Sequence, residues 1–145
     1  MDTLITLDEI KAARDALPDV IRRTPILPLS RDSAEVGSEK LFLKAENLQV
    51  TGAYKVRAAF TMMNALGPER LKNGLVLTSS GNFAQGFAYA GARMGVKIVV
   101  VMLDQTSPYK IKATERYGAE VYLCGTDAGA RQGIVEQVAA DRGMT

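Results

Sequence analysis

Two short stretches carry residue types that can do covalent and anion-binding chemistry. The first is 46–57, Glu-Asn-Leu-Gln-Val-Thr-Gly-Ala-Tyr-Lys-Val-Arg, where a Thr51-Gly52 turn runs into Lys55 at the expected start of a helix. A helix macrodipole disfavours a cation at that end, so the position favours the neutral amine, the form that condenses with an aldehyde. A solvated surface lysine fits the same position. The second stretch is 78–86, Thr-Ser-Ser-Gly-Asn-Phe-Ala-Gln-Gly, which joins an apolar run to a helical one. Its small hydroxyl residues, glycine and asparagine suit a nest of N–H donors for a carboxylate or phosphate. Plain N-capping by Ser80 or Asn82 would give much the same composition.

The elements around these stretches alternate. An amphipathic helix is expected over 6–17, with Thr6 and Glu9 in the relation of a capping box. Pro25 and Pro28 make 23–29 an extended connector. Strands are expected at 41–46, 75–79, 96–102 and 120–124, and helices at 55–66, 84–94, 108–117 and 130–141, with Gly118 closing the third of these helices. The run VKIVVVM at 96–102 is apolar enough for a central strand covered on both faces. The fold class is therefore α/β, a three-layer domain with a mostly parallel sheet, and ligands in such sheets gather where strands end and helices begin.

Composition narrows the chemistry. The chain has 145 residues, 47% of them hydrophobic, enough for a domain-sized core. Its 18 basic and 16 acidic side chains leave +2, too even a balance for a nucleic-acid surface. With no histidine and a single cysteine, Cys124, neither a His-based triad nor the common metal sites can form, and no metal is expected. No apolar run approaches the ~18 residues of a membrane span, and the N-terminus lacks a signal-peptide pattern, so no membrane partner is expected and the cytoplasm is the default location.

Taken in order, Asn47-Leu48-Gln49-x-Thr51-Gly52-x-Tyr54-Lys55-x-Arg57 followed by Ser79-Ser80-Gly81-Asn82-x-Ala84-Gln85-Gly86 resembles the serine/threonine dehydratase family of fold type II pyridoxal-phosphate enzymes. Arg23-Thr24-Pro25, Lys112-Ala113-Thr114 and Tyr117-Gly118-Ala119-Glu120-Val121 extend the likeness along nearly the whole chain. The resemblance implies pyridoxal 5'-phosphate as cofactor. It implies that Lys55 holds the cofactor through an imine and moves the proton at the substrate Cα, that Asn82 bonds the 3'-oxygen of the pyridoxal ring, and that Tyr54 flanks the ring. Ser79, Ser80, Gly81, Asn82 and Phe83 would surround the carboxylate of a small amino-acid substrate. Serine racemases of this family carry a serine where Ser80 stands, placed as an acid/base on the ring face opposite the lysine. Ala53, Ala58 and Phe83 depart from the family's usual serine, glycine and histidine, and Phe83 makes the loop less polar.

The implied activity is a dehydratase (ammonia-lyase) converting L-threonine or L-serine to a 2-oxo acid and ammonia. A serine racemase or 3-hydroxyaspartate dehydratase is the near alternative, and a non-catalytic α/β binding domain the alternative of another class. The 13 glycines include no tetraglycine run, the family's phosphate loop, so the resemblance extends to the N-terminal half of such an enzyme. On that reading residues 41–145 form the small domain. Residues 1–40 would pack on a larger C-terminal domain that is missing here, and a homo-oligomer is expected.

Overall fold

A computed structural model describes residues 4–29 and 41–145. Helix α1, Leu7–Asp15, starts from the expected capping box: the Thr6 hydroxyl accepts from the Glu9 N–H at 3.2 Å, and the Glu9 carboxylate accepts from the Thr6 N–H at 2.7 Å. None of its residues is buried, and Leu7 and Ile10 face outward. The chain reaches the core just after it, through Leu17, Val20 and Ile21.

Strands β1, Ile26–Pro28, and β2, Phe42–Lys44, correct the sequence expectation. The segment 41–46 does not open the parallel sheet, and 23–29 is not only a connector. The two strands pair antiparallel, Ile26 with Lys44 and Pro28 with Phe42, as a separate ribbon. The prolines permit this because the carbonyl of Pro25 accepts the Ala45 N–H at 3.0 Å, so a proline contributes to the ladder by its oxygen without needing an N–H.

The main sheet has three parallel strands, β3 (Leu75–Thr78), β4 (Ile98–Met102) and β5 (Glu120–Leu123), in the order β3-β4-β5. Every residue of β4 is buried. Its alternate side chains serve two layers: Ile98, Val100 and Met102 meet helices α2 (Lys55–Leu71) and α3 (Asn82–Met94), while Val99 and Val101 meet α5 (Arg131–Arg142) through Val138. This is the three-layer arrangement expected, with α4 (Pro108–Arg116) beside α3 and β5. Helix α3 lies so close to β4 that a β-carbon on Gly91 would stand 2.2 Å from Ile98 Cγ1. Helix α2 breaks at Gly67, whose φ of 74° lies in the left-handed region, and resumes at Pro68. The regular helix thus ends where the sequence places its end, and a second turn follows it.

Candidate active site

Lys55 is the first residue of α2 and is half-buried. The turn before it is built by Gln49, a buried amide whose side chain satisfies three backbone groups. Its oxygen accepts from the N–H groups of Arg22 (3.0 Å) and Val50 (2.9 Å), and its nitrogen donates to the Arg22 carbonyl at 3.0 Å. Gly52 then turns the chain with φ of 71°, bonding back from its N–H to the Gln49 carbonyl at 2.8 Å. From this support the Lys55 ammonium reaches over the Tyr54 ring, 4.6 Å from its centroid, and stands 5.9 Å from the Phe83 ring. Phe83 is itself backed by the buried Phe87, ring centroids 4.7 Å apart.

The second stretch forms the turn between β3 and α3. Capping is done by Ser79, where the sequence favours Ser80 or Asn82: the Ser79 hydroxyl accepts from the N–H groups of Gly81 (3.4 Å) and Ala84 (3.3 Å). Ser79 sits before the turn, so its oxygen can fold back over the helix start, whereas Asn82 is already the first helical residue and is exposed. Ser80 is thereby left for other contacts. Its hydroxyl accepts a hydrogen bond from the hydroxyl of Thr106 at 3.2 Å.

Thr106 is a buried residue of the β4–α4 loop that the sequence reading passes over. The signal for it was available, since 103–107 follows the central strand at its C-terminal end, where ligands of such sheets gather. Lys55, Tyr54 and Phe83 are thus brought together by distance. Ser79, Ser80 and Gly81 form the loop before α3, and Asn82 and Phe83 open that helix.

These groups can hold a planar aldehyde-bearing cofactor. A primary amine stands over one aromatic ring and within 6 Å of a second, and beside it a turn offers N–H groups and an exposed amide at a helix start, a suitable setting for an anion. No β-carbon projects from Gly86, which lets α3 run directly under the backbone of Lys55. The amine and the aromatic side chains beside it therefore fit the pyridoxal part of pyridoxal phosphate, and the N–H groups of the turn suit a carboxylate. Among the described residues no group of three histidine, cysteine, aspartate or glutamate side chains could hold a metal ion, and no helix is long and apolar enough to cross a membrane.

Comparison with known proteins agrees with this chemistry. A family model described as pyridoxal-phosphate dependent enzyme matches residues 17–145. The catabolic L-threonine dehydratase of Staphylococcus aureus is 34% identical over 142 residues, which are 98% of this chain and 41% of that protein. Among solved structures, the processed form of threonine deaminase isoform 2 from Solanum lycopersicum has a TM-score of 0.80 at 30% identity, with 97% of this chain and 42% of that one covered. Serine racemase from Dictyostelium discoideum has a TM-score of 0.86 at 34% identity, covering 97% and 46%. The chain spans about 41% of the length of the curated relatives it matches.

Proposed function

Because the chain belongs to the family of pyridoxal-phosphate-dependent enzymes, we propose that it carries the reactive lysine of a dehydratase that turns L-threonine or L-serine into a 2-oxo acid and ammonia. The observation that carries this reading is the Lys55 amine at the start of α2, 4.6 Å from the centroid of the Tyr54 ring and 5.9 Å from that of Phe83. The family's cofactor, when bound, withdraws electrons from the substrate Cα and so makes its proton removable. Lys55 would hold that cofactor through its side-chain nitrogen, and its amine would take the Cα proton of the substrate. Tyr54 and Asn82 would hold the pyridoxal ring, Asn82 at its 3'-oxygen. The N–H groups of the Ser79–Phe83 turn orient the substrate carboxylate. Departure of the β-hydroxyl as water leaves an enamine, which becomes an imine that a water molecule hydrolyses to the 2-oxo acid and ammonia.

A racemase reading has one observation in its favour: Ser80, freed of the capping duty by Ser79, is steadied by Thr106. A hydroxyl so held could exchange a proton on the side of Cα away from Lys55.

Residues 41–145 are proposed as the lysine-bearing domain. The segment before it is proposed to pack on a larger partner domain, and the enzyme to act as a cytoplasmic homo-oligomer. What supports the packing is the apolar surface left bare, with Ile26 63% and Leu27 48% exposed. The test of the activity is release of ammonia and 2-oxo acid from L-threonine and L-serine by the full-length protein. Inversion of either amino acid without ammonia release would replace the dehydratase by the racemase.

A further inference from the structure

We propose that Glu46 and Arg57 are positioning residues for Lys55, a role that rests on the reading of Lys55 as the cofactor-binding amine. Helix α2 opens without a side-chain cap, since Tyr54 at its N-cap bonds no helical N–H through its ring hydroxyl. The turn that carries Lys55 is therefore secured from outside the helix.

Arg57, one position beyond Val56 in that first turn, supplies the hold. Its Nε donates to one oxygen of Glu46 at 3.0 Å and its Nη2 to the other at 2.9 Å, a two-pronged contact that fixes orientation as well as distance. The same Nη2 donates to the carbonyl of Arg22 at 2.8 Å, an oxygen that also accepts from Gln49. The Thr24 hydroxyl donates to Glu46, and Lys44 donates to the Thr24 carbonyl. The stretch 22–24 is thus locked at one point to 44–49 and to Arg57, which follow it at a distance in sequence. The Glu46 and Arg57 side chains are only 17% and 27% exposed, so solvent screens the pair less than a surface ion pair.

Behind the lysine, Gly86 of α3 blocks retreat of the same backbone. A reactive amine at the end of a long flexible side chain keeps its place only as well as its Cα does, and misplacement by about 1 Å can cost ~100-fold in rate. The clamp fixes that Cα.

The experiment is reductive trapping. The full-length protein and its variants Arg57→Met, Arg57→Lys and Thr24→Val are incubated with pyridoxal phosphate, reduced with borohydride and digested. The label on Lys55 is then compared by mass spectrometry with that on Lys72 and Lys97, both exposed and outside the clamp, at a temperature where circular dichroism shows each protein folded. We expect the unmodified protein to concentrate label on Lys55. Arg57→Met should lower Lys55 labelling about 10-fold relative to the other two lysines. Arg57→Lys should not restore it, because an ammonium cannot span both carboxylate oxygens and a carbonyl. Thr24→Val, which spares the ion pair, should give a smaller loss. If Arg57→Met does not fold, Arg57→Lys and Thr24→Val decide the matter. An unchanged Lys55 share in the folded variants would overturn the positioning role and leave only a stabilising one. Failure of the unmodified protein to label Lys55 would instead overturn the cofactor reading itself.

Discussion

Gly86 lies beneath Lys55 so closely that a β-carbon added to it would stand 3.1 Å from both the carbonyl carbon and the carbonyl oxygen of the lysine. The neighbouring atoms are backbone, which cannot swing aside as a side chain can. The glycine thus lets two helix N-termini meet, and the meeting puts the amine beside the Ser79–Phe83 turn.

Replacing it tests this packing. Gly86→Ala should cost about 1–3 kcal/mol, as overpacking in a well-filled core does, even though alanine is the better helix former. Urea unfolding followed by circular dichroism measures it. A gain in stability would mean that α3 shifts freely away from α2.

The two adjacent serines should separate by function. Ser79→Ala removes the acceptor for two backbone N–H groups and should lower stability by about 1 kcal/mol. Ser80→Ala should lower stability by no more than about 1 kcal/mol, because the buried Thr106 hydroxyl loses its acceptor, suppress any racemisation and spare β-elimination from L-threonine. Equal loss of both activities in Ser80→Ala would assign Ser80 to the carboxylate or to the loop's shape.

Acid sensitivity follows from Glu46. The Arg57 guanidinium bonded to it holds this carboxyl below the usual carboxylate range. A carboxylate whose folded pKa is depressed contributes stability above its unfolded pKa and loses it as pH falls through the folded one. Glu46→Gln should therefore cost roughly 1.5–3 kcal/mol at neutral pH, the worth of hydrogen bonds to a charged group. The difference should shrink as the pH is taken below the unfolded carboxylate range. Melting curves from pH 7 to pH 3 check this. Glu120, held down in the same direction by Arg142, remains in both proteins and leaves each with some acid loss.

The bare ribbon predicts association. The 145-residue chain alone should unfold cooperatively, because its three-layer core is complete across β4. It should also self-associate through Ile26, Leu27, Phe42 and Leu43. Sedimentation should show Phe42→Ser reducing that association. A chain that stays monomeric at high concentration would remove the support for a packed partner domain.

The parts of this molecule readable from sequence are those fixed by neighbours in the chain. The run at 98–102 announces a central strand because both of its faces are covered and no polar residue interrupts it. The Thr6–Glu9 box sets the start of α1 within one turn. The start of α2 is legible in the same way, because the turn at Thr51-Gly52 precedes it directly. What was not legible depends on distant partners. The pairing of 26–28 with 42–44 is non-local, three residues long and set among prolines that argue against a strand. Glu46, Gln49 and Arg57 stand in the recognisable motif, yet their joint contact with 22–24 cannot be seen from spacing. Ser80 and Asn82 are the caps that composition offers, and only the backbone path gives the role to Ser79 instead.

Lys55 is central as the amine that holds the cofactor, and borohydride reduction of the full-length protein incubated with pyridoxal phosphate tests that role most directly. The expected result is that the visible absorbance band disappears on reduction, that the label maps to the peptide containing Lys55, and that Lys55→Ala and Lys55→Arg form neither the band nor the adduct. A band and a stoichiometric adduct retained in Lys55→Ala, with the label on another lysine, would contradict it.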